Sequence, residues 1–142
     1  MQILRSLEQE VVTVVGRAVR VLLLTSDSDS GAMERQLASL GAQVDVVTEL
    51  FSALSDLIDD PTGYSLFVVD CDSANVGGLP AAQHAMRMLA GVAERVSIIL
   101  VASDCREQRF PQERSEPVVL CAPLSSISLK VGFEHALHRR FL

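Results

Sequence analysis

The chain has 142 residues, the size of one domain. Hydrophobic residues make up 49% and aromatic ones only 4%, so the core must be aliphatic, and a net charge of −6 sets the chain against a phosphate backbone, which excludes nucleic acid as an expected partner. No apolar run approaches the ~20 residues of a membrane span, and residues 1–20 carry Glu8 and Glu10 without the small-residue cleavage site of a signal peptide; the expected location is the cytoplasm.

Ile3, Leu7, Val11, Val14 and Ala18 recur every three or four residues and fit one face of a helix, while the β-branched run Val11 to Val15 fits a strand equally well. Residues 1–19 therefore read as an N-terminal extension, either an edge-packed helix or a self-association element, and residues 20–142 as the domain proper. Val21-Leu22-Leu23-Leu24 is too short for a helix and ends in the polar cluster Thr25 to Ser30, which marks a buried strand. Asp29 or Ser30 is placed to cap a helix carrying Met33, Leu37 and Leu40, with Gly41 as its stop. Val44, Val46 and Val47 give a second strand.

Phe51, Leu54, Leu57 and Ile58 mark a second helix, ended by the turn Asp60-Pro61-Thr62-Gly63. Leu66 to Val69 is a third strand, closed by Asp70-Cys71-Asp72-Ser73. A third helix begins near Leu79, with Pro80 in its first turn, buries Ala82, Met86 and Leu89, and stops at Gly91. Ile98 to Val101 and Val118 to Cys121 are strands four and five. The polar stretch Ser103 to Pro117 between them has almost no apolar periodicity and holds Phe110-Pro111 midway, so a loop or a shortened helix is expected there. The last helix starts near Ser125 and is read as burying Ile127, Leu129, Val131, Phe133, Ala136 and Leu137. Strands and helices in this alternation imply a parallel sheet covered on both faces.

Ligands of such a sheet collect beyond the carboxyl ends of its strands. Those ends hold Thr25 to Asp29, Asp70 to Ser73, Ala102-Ser103-Asp104 and Ala122-Pro123. Asp70 follows four apolar residues directly, although Asp also simply turns a chain out of a strand. Cys71, Cys105 and Cys121 form no C-x-x-C pair, so no disulfide framework is expected and buried apolar packing is the simplest role for all three. His84, His135 and His138 lack a third ligand at metal spacing, and His135, His138, Arg139 and Arg140 complement the carbonyl end of the last helix. Gly77-Gly78 is not a phosphate-binding loop, and no G-x-S-x-G elbow is present, so no enzymatic activity is expected.

The stretch Tyr64-Ser65-Leu66-Phe67-Val68-Val69-Asp70 resembles the Y-D-L-x-L-x-D pattern of bacterial response-regulator receiver domains, whose final Asp is the phospho-acceptor. Gly78-Leu79 falls where that family's D-x-x-M-P-x-x-D-G-L pattern places its Gly-Leu, Ala53-Leu54 matches an Ala-Leu of its second helix, and Pro123 matches the Pro of its Lys-Pro after strand five. The resemblance spans residues 20–142. It implies an α/β, flavodoxin-like doubly wound five-stranded parallel sheet in the order 2-1-3-4-5, with an eroded fourth helix. It also names Asp70 as the phospho-acceptor candidate, with Asp27, Asp70 and Asp72 as candidate Mg²⁺ ligands.

Departures from the family run through the same positions. The acidic pair after strand one is Thr25-Ser26, and the first carboxylate is Asp27. Met-Pro is replaced by Ser73-Ala74, and the Asp before Gly-Leu by Gly77. The hydroxyl residue after strand four is Ala102, beside Ser103; the aromatic switch of strand five is Val119; the Lys is Ala122. Loss of the Lys removes a charge that stabilises a phosphoryl group. The expected function is a non-enzymatic, phosphorylation-independent pseudo-receiver of a two-component-type pathway, without a required cofactor. It would bind a protein partner (a histidine kinase, a phosphotransfer protein or another regulator) or a second copy of itself. Alternatives are a true phospho-receiver with Mg²⁺ held by Asp27, a flavodoxin-like ligand binder, and a scaffold assembled through residues 1–19.

Overall fold

A computed structural model of the chain describes residues 19–26, 31–59, 63–88, 91, 95–113 and 115–141. The expectations for residues 1–18, Asp27, Asp29, Ser30, most of the turn at 60–63 and Leu89 lie outside the described residues. Five parallel strands form one sheet: β1 (Arg20–Leu24), β2 (Gln43–Val47), β3 (Leu66–Asp70), β4 (Ser97–Ala102) and β5 (Val118–Cys121), in the order β2-β1-β3-β4-β5. Among the described residues four helices accompany them: α1 (Gly31–Ser39), α2 (Leu50–Asp59), α3 (Leu79–Arg87) and α4 (Ser126–Phe141). The doubly wound order expected from the resemblance is the one observed.

Both faces of the sheet are covered because its inner strands β1, β3 and β4 are apolar apart from Arg20, Asp70 and Ser97 at their ends. All six residues of β4 are buried, as are the first four of β3, the pattern of a parallel sheet packed on both sides. Alternation sorts their side chains. Leu22, Leu24, Phe67, Val69, Ile98 and Leu100 pack with Ala53 and Leu57 of α2 and Ala82 and Met86 of α3. Val21, Leu23, Leu66, Val68, Ile99 and Val101 pack with Leu37 of α1 and Leu129, Phe133, Ala136 and Leu137 of α4.

Two helices differ from the expected burial. On α4, Ile127 and Val131 are 77% and 46% exposed, and on α2, Phe51 and Ile58 are 83% and 57% exposed. At about 100° per residue, Leu129, Phe133, Ala136 and Leu137 share one stripe, and Ile127 and Val131 lie off it.

Gly132 lets α4 approach the sheet. A Cβ there would lie 3.0 and 3.2 Å from the two Cδ atoms of Leu120. Gly132→Leu is expected to destabilise by about 1–3 kcal/mol through overpacking, outweighing the ~1 kcal/mol gained in helix propensity. Thermal unfolding should show a midpoint lower by about 5 °C; an unchanged midpoint would mean that α4 shifts freely away from β5.

Among the described residues between β4 and β5 there is no regular helix. The segment instead turns back along the outer edge of β5, where Arg109 and Val119 form an isolated antiparallel bridge. The N–H of Arg109 donates to the carbonyl of Val119 at 2.9 Å, and the N–H of Val119 donates to the carbonyl of Arg109 at 3.0 Å. A groove of about 460 Å³ lies beside this segment, lined by Met86, Arg87, Arg109, Pro111, Pro117 and Val119 among others.

The expectation for the cysteines is corrected. Cys105 and Cys121 are joined in a disulfide, with Cα atoms 5.1 Å apart, and only Cys71 is free and buried. Spacing along the chain hid this pair because proximity comes from the sheet: Ala102 pairs with Cys121 across β4 and β5, and Cys105 follows three residues later.

Candidate functional site

Asp70 is the last residue of β3, the central strand, and its side chain is half-buried at the carboxyl edge of the sheet. Parallel pairing of Leu24 with Val69 brings Thr25 alongside it. The Thr25 hydroxyl donates to Asp70 Oδ2 at 2.9 Å, and the N–H of Asp72 donates to Asp70 Oδ1 at 3.2 Å. Each oxygen of the carboxylate thus accepts one hydrogen bond from the protein. Thr25 is 5% exposed, so its contact with Asp70 is shielded from water.

Asp72 is exposed and turned toward the end of β4. Its Oδ1 accepts the Ser103 N–H at 3.0 Å and the Ser103 hydroxyl at 2.9 Å, and its Oδ2 lies 3.2 Å from the same N–H. The adjacent turns are joined in a similar way. The N–H of Ser26 donates to Ser73 Oγ at 2.9 Å, and the N–H of Ala74 donates to Ser26 Oγ at 3.2 Å. Asp104 accepts the N–H of Leu79, with both oxygens at 3.3 Å, which satisfies a free donor in the first turn of α3.

Gly77 and Gly78 shape that turn with φ of 91° and 97°, a region costly for residues with a side chain. A Cβ on Gly78 would also lie 3.2 Å from Asp104 Oδ2. The pair is therefore structural.

Three charges surround a buried thiol at the centre of this edge. Burial pushes Cys71 up from 9.0 to about 12, helped by the negative charges of Asp70, Asp72 and Asp104. At neutral pH it is a protonated thiol and a poor nucleophile.

The remaining sequence-chosen positions lie around the same rim. Ala102 ends β4 and is buried, and its carbonyl accepts the N–H of Ala122 at 2.9 Å. Pro123 is exposed and follows a cis peptide bond from Ala122. Val119 is 3% exposed and borders the groove beside α3. Asp70, Asp72 and Ser103 are linked through hydrogen bonds; Val119 stands apart from them. Asp27 lies outside the described residues.

Mg²⁺ needs several hard oxygen ligands in near-octahedral geometry. Among the described residues, no group of three or more His, Cys, Asp or Glu is placed to hold a metal ion. Thr25 offers a hydroxyl that already donates to Asp70, and the Asp72 carboxylate already accepts from Ser103.

Sequence reasoning missed the roles of Thr25, Asp104 and the two bonded cysteines. Thr25 was accessible to it: the residue after strand one sits beside the residue that ends strand three whenever the two strands are parallel neighbours.

No protein-family model and no curated protein matches the chain. Solved structures do. A sensor protein from Polaromonas sp. JS666 superposes with a TM-score of 0.66 at 20% identity, over 86% of this chain and 98% of that one. The chain has the receiver-domain fold. A probable two-component system response regulator/GGDEF domain protein gives a TM-score of 0.73 at 19% identity over 97% of this chain, which spans 57% of that protein's length. The signal receiver domain of an HD domain-containing protein from Pseudomonas fluorescens Pf-5 gives 0.63 at 16% identity, over 87% of this chain and 97% of that one. Among the described residues, no helix is long and apolar enough to cross a membrane.

Proposed function

We propose that this chain is a non-enzymatic signalling module of receiver type, a pseudo-receiver that acts by binding a protein partner without phosphorylation of Asp70. The observation that carries this reading is the Thr25–Asp70 hydrogen bond of 2.9 Å. A receiver carboxylate attacks phosphorus with help from a neighbouring cation and a lysine, which neutralise charge building on the phosphoryl oxygens. Here a hydroxyl occupies the place of a metal-binding carboxylate, and Ala122 that of the lysine. The rotameric relay is missing as well, since Val119 has no large side chain to turn inward.

Binding in place of phosphorylation suits the exposed apolar residues Ile127 and Val131, one turn apart on the outer side of α4. The partner we propose is a histidine kinase, a phosphotransfer protein or another regulator, met in the cytoplasm.

Incubation with a small acyl phosphate and Mg²⁺, followed by intact-mass measurement, tests the reading. The expected result is no phosphoryl adduct on the wild-type chain. An adduct that disappears in Asp70→Asn would overturn the proposal and make the chain a true phospho-acceptor. As a second arm, affinity capture from the native cell should recover the same partner with wild type and Asp70→Ala; recovery only with phosphodonor-treated wild type would contradict it.

A further inference from the structure

We propose that Cys105 and Cys121 are a reversible thiol–disulfide pair whose oxidation state decides whether the segment after β4 stays folded over the outer edge of β5. The edge itself supplies the first argument. Strand β5 pairs with β4 from Ile99–Val118 to Ala102–Cys121, which leaves its other side open. Covering that side are the two Arg109–Val119 hydrogen bonds and a longer one from the Cys121 N–H to the Gln108 side-chain oxygen at 3.4 Å. Phe110 adds a half-buried ring, edge-on to His135 at 5.7 Å, and the His135 Nε2–H donates to the Pro111 carbonyl at 2.7 Å. These hydrogen bonds and the packing of Phe110 hold a segment that has no helix or strand of its own among the described residues.

The disulfide closes this excursion at its base, across a sequence separation of 16. Pairing of Ala102 with Cys121 keeps the ends of the excursion close in either redox state, so opening the bond favours the detached state by about tenfold, short of the full loop-closure entropy of an unfolded chain. One of the ties that secure the segment is thus a bond that a thiol can break.

Access and selectivity favour exchange at this pair. Cys105 and Cys121 are both half-exposed, whereas Cys71 is fully buried and stays protonated, so it does not intervene as an internal nucleophile. The reductant is a dithiol. Its thiolate attacks one sulfur of the bridge; the S–S bond breaks and the other cysteine leaves as a thiolate that takes a proton from water. The second thiol of the reductant then attacks the mixed disulfide, releases the remaining cysteine and becomes half of a new disulfide. The protein gains two electrons and two protons, and the dithiol loses them.

Reduction frees the main-chain N–H and carbonyl of Val119 and removes the Arg109 and Pro111 wall of the groove. An uncovered strand edge is a template for pairing with another strand. This inference does not depend on the phosphorylation state of Asp70.

Hydrogen–deuterium exchange and thiol counting on the full chain, with and without dithiothreitol, test it. Untreated protein should show one alkylatable thiol after unfolding, and reduced protein three. Exchange at the Arg109 and Val119 amides should quicken by about tenfold on reduction, while the amides of β1 and β3 keep their protection. Cys105→Ser should show the fast exchange with or without dithiothreitol. Three free thiols in protein kept with oxidised glutathione would overturn the proposal. So would unchanged exchange at Val119 after reduction, or loss of protection in β1 and β3 together with it, which would make the bond a general staple of the fold.

Discussion

Phe67→Ala is expected to lower the unfolding free energy by about 3–5 kcal/mol, the cost of removing a fully enclosed aromatic side chain and leaving a cavity. Phe67 lies in the central strand with no exposed surface, and its ring faces the layer built by α2 and α3. Aromatic residues are only 4% of the chain, so few other large side chains can move in to fill the space. A domain of this size is stable by about 5–15 kcal/mol, and the loss would shift the urea midpoint down by about 2 M. Phe51 is the control. At 83% exposure it should tolerate Phe51→Ala within about 0.5 kcal/mol. Equal shifts for the two variants would place the core elsewhere than around β3.

Alkaline pH should weaken the fold through Cys71. Its folded value is raised from 9.0 to about 12, first by burial and then by Asp70, Asp72 and Asp104. The folded state therefore holds this proton more tightly than the unfolded state does. The associated stability is fully present below about pH 9 and is lost as pH rises toward about 12, at up to ~1.4 kcal/mol per pH unit. Tyr64 adds a second loss of the same sign. It is raised from 10.0 to about 12 by burial and by its hydrogen bond to Asp45, with its hydroxyl 2.8 Å from Asp45 Oδ2. Denaturant midpoints should be level near pH 7–8 and fall above about pH 9. Cys71→Ala should delay the fall until Tyr64 of the unfolded chain begins to lose its proton near pH 10. A wild-type profile that stays level to about pH 11 would contradict the burial of the thiol.

The parallel sheet was legible because its strands announce themselves. Runs such as Leu66 to Val69 are too short for helices, end in polar turns and recur between helical segments. Asp70 was legible for the same reason, since the turn after the third strand opens at the carboxyl edge. What stayed hidden depended on which strands are neighbours and on which side a helix faces. Thr25 meets Asp70, and Cys121 comes near Cys105, only once β1 lies beside β3 and β4 beside β5. Ile127 and Val131 look like core residues when apolar positions are simply collected; their angular distance from Leu129 and Phe133 puts them outside. The loop between the last two strands was expected from its polarity, but its bridge to Val119 rests on backbone groups that carry no sequence signature.

The seams between the turns at the carboxyl edge have a consequence of their own. Ser26 is tied to the Ser73-Ala74 turn, Asp72 to Ser103, and Asp104 to Leu79, so Ser26 and the described segments after β3 and β4 are laced into one lip. Ordering of that lip is completed when the domain folds, and a visitor would meet a shape that is already set. Recognition there forfeits little chain freedom at the moment of contact, which favours rapid, reversible encounters over slow moulding of one surface to another.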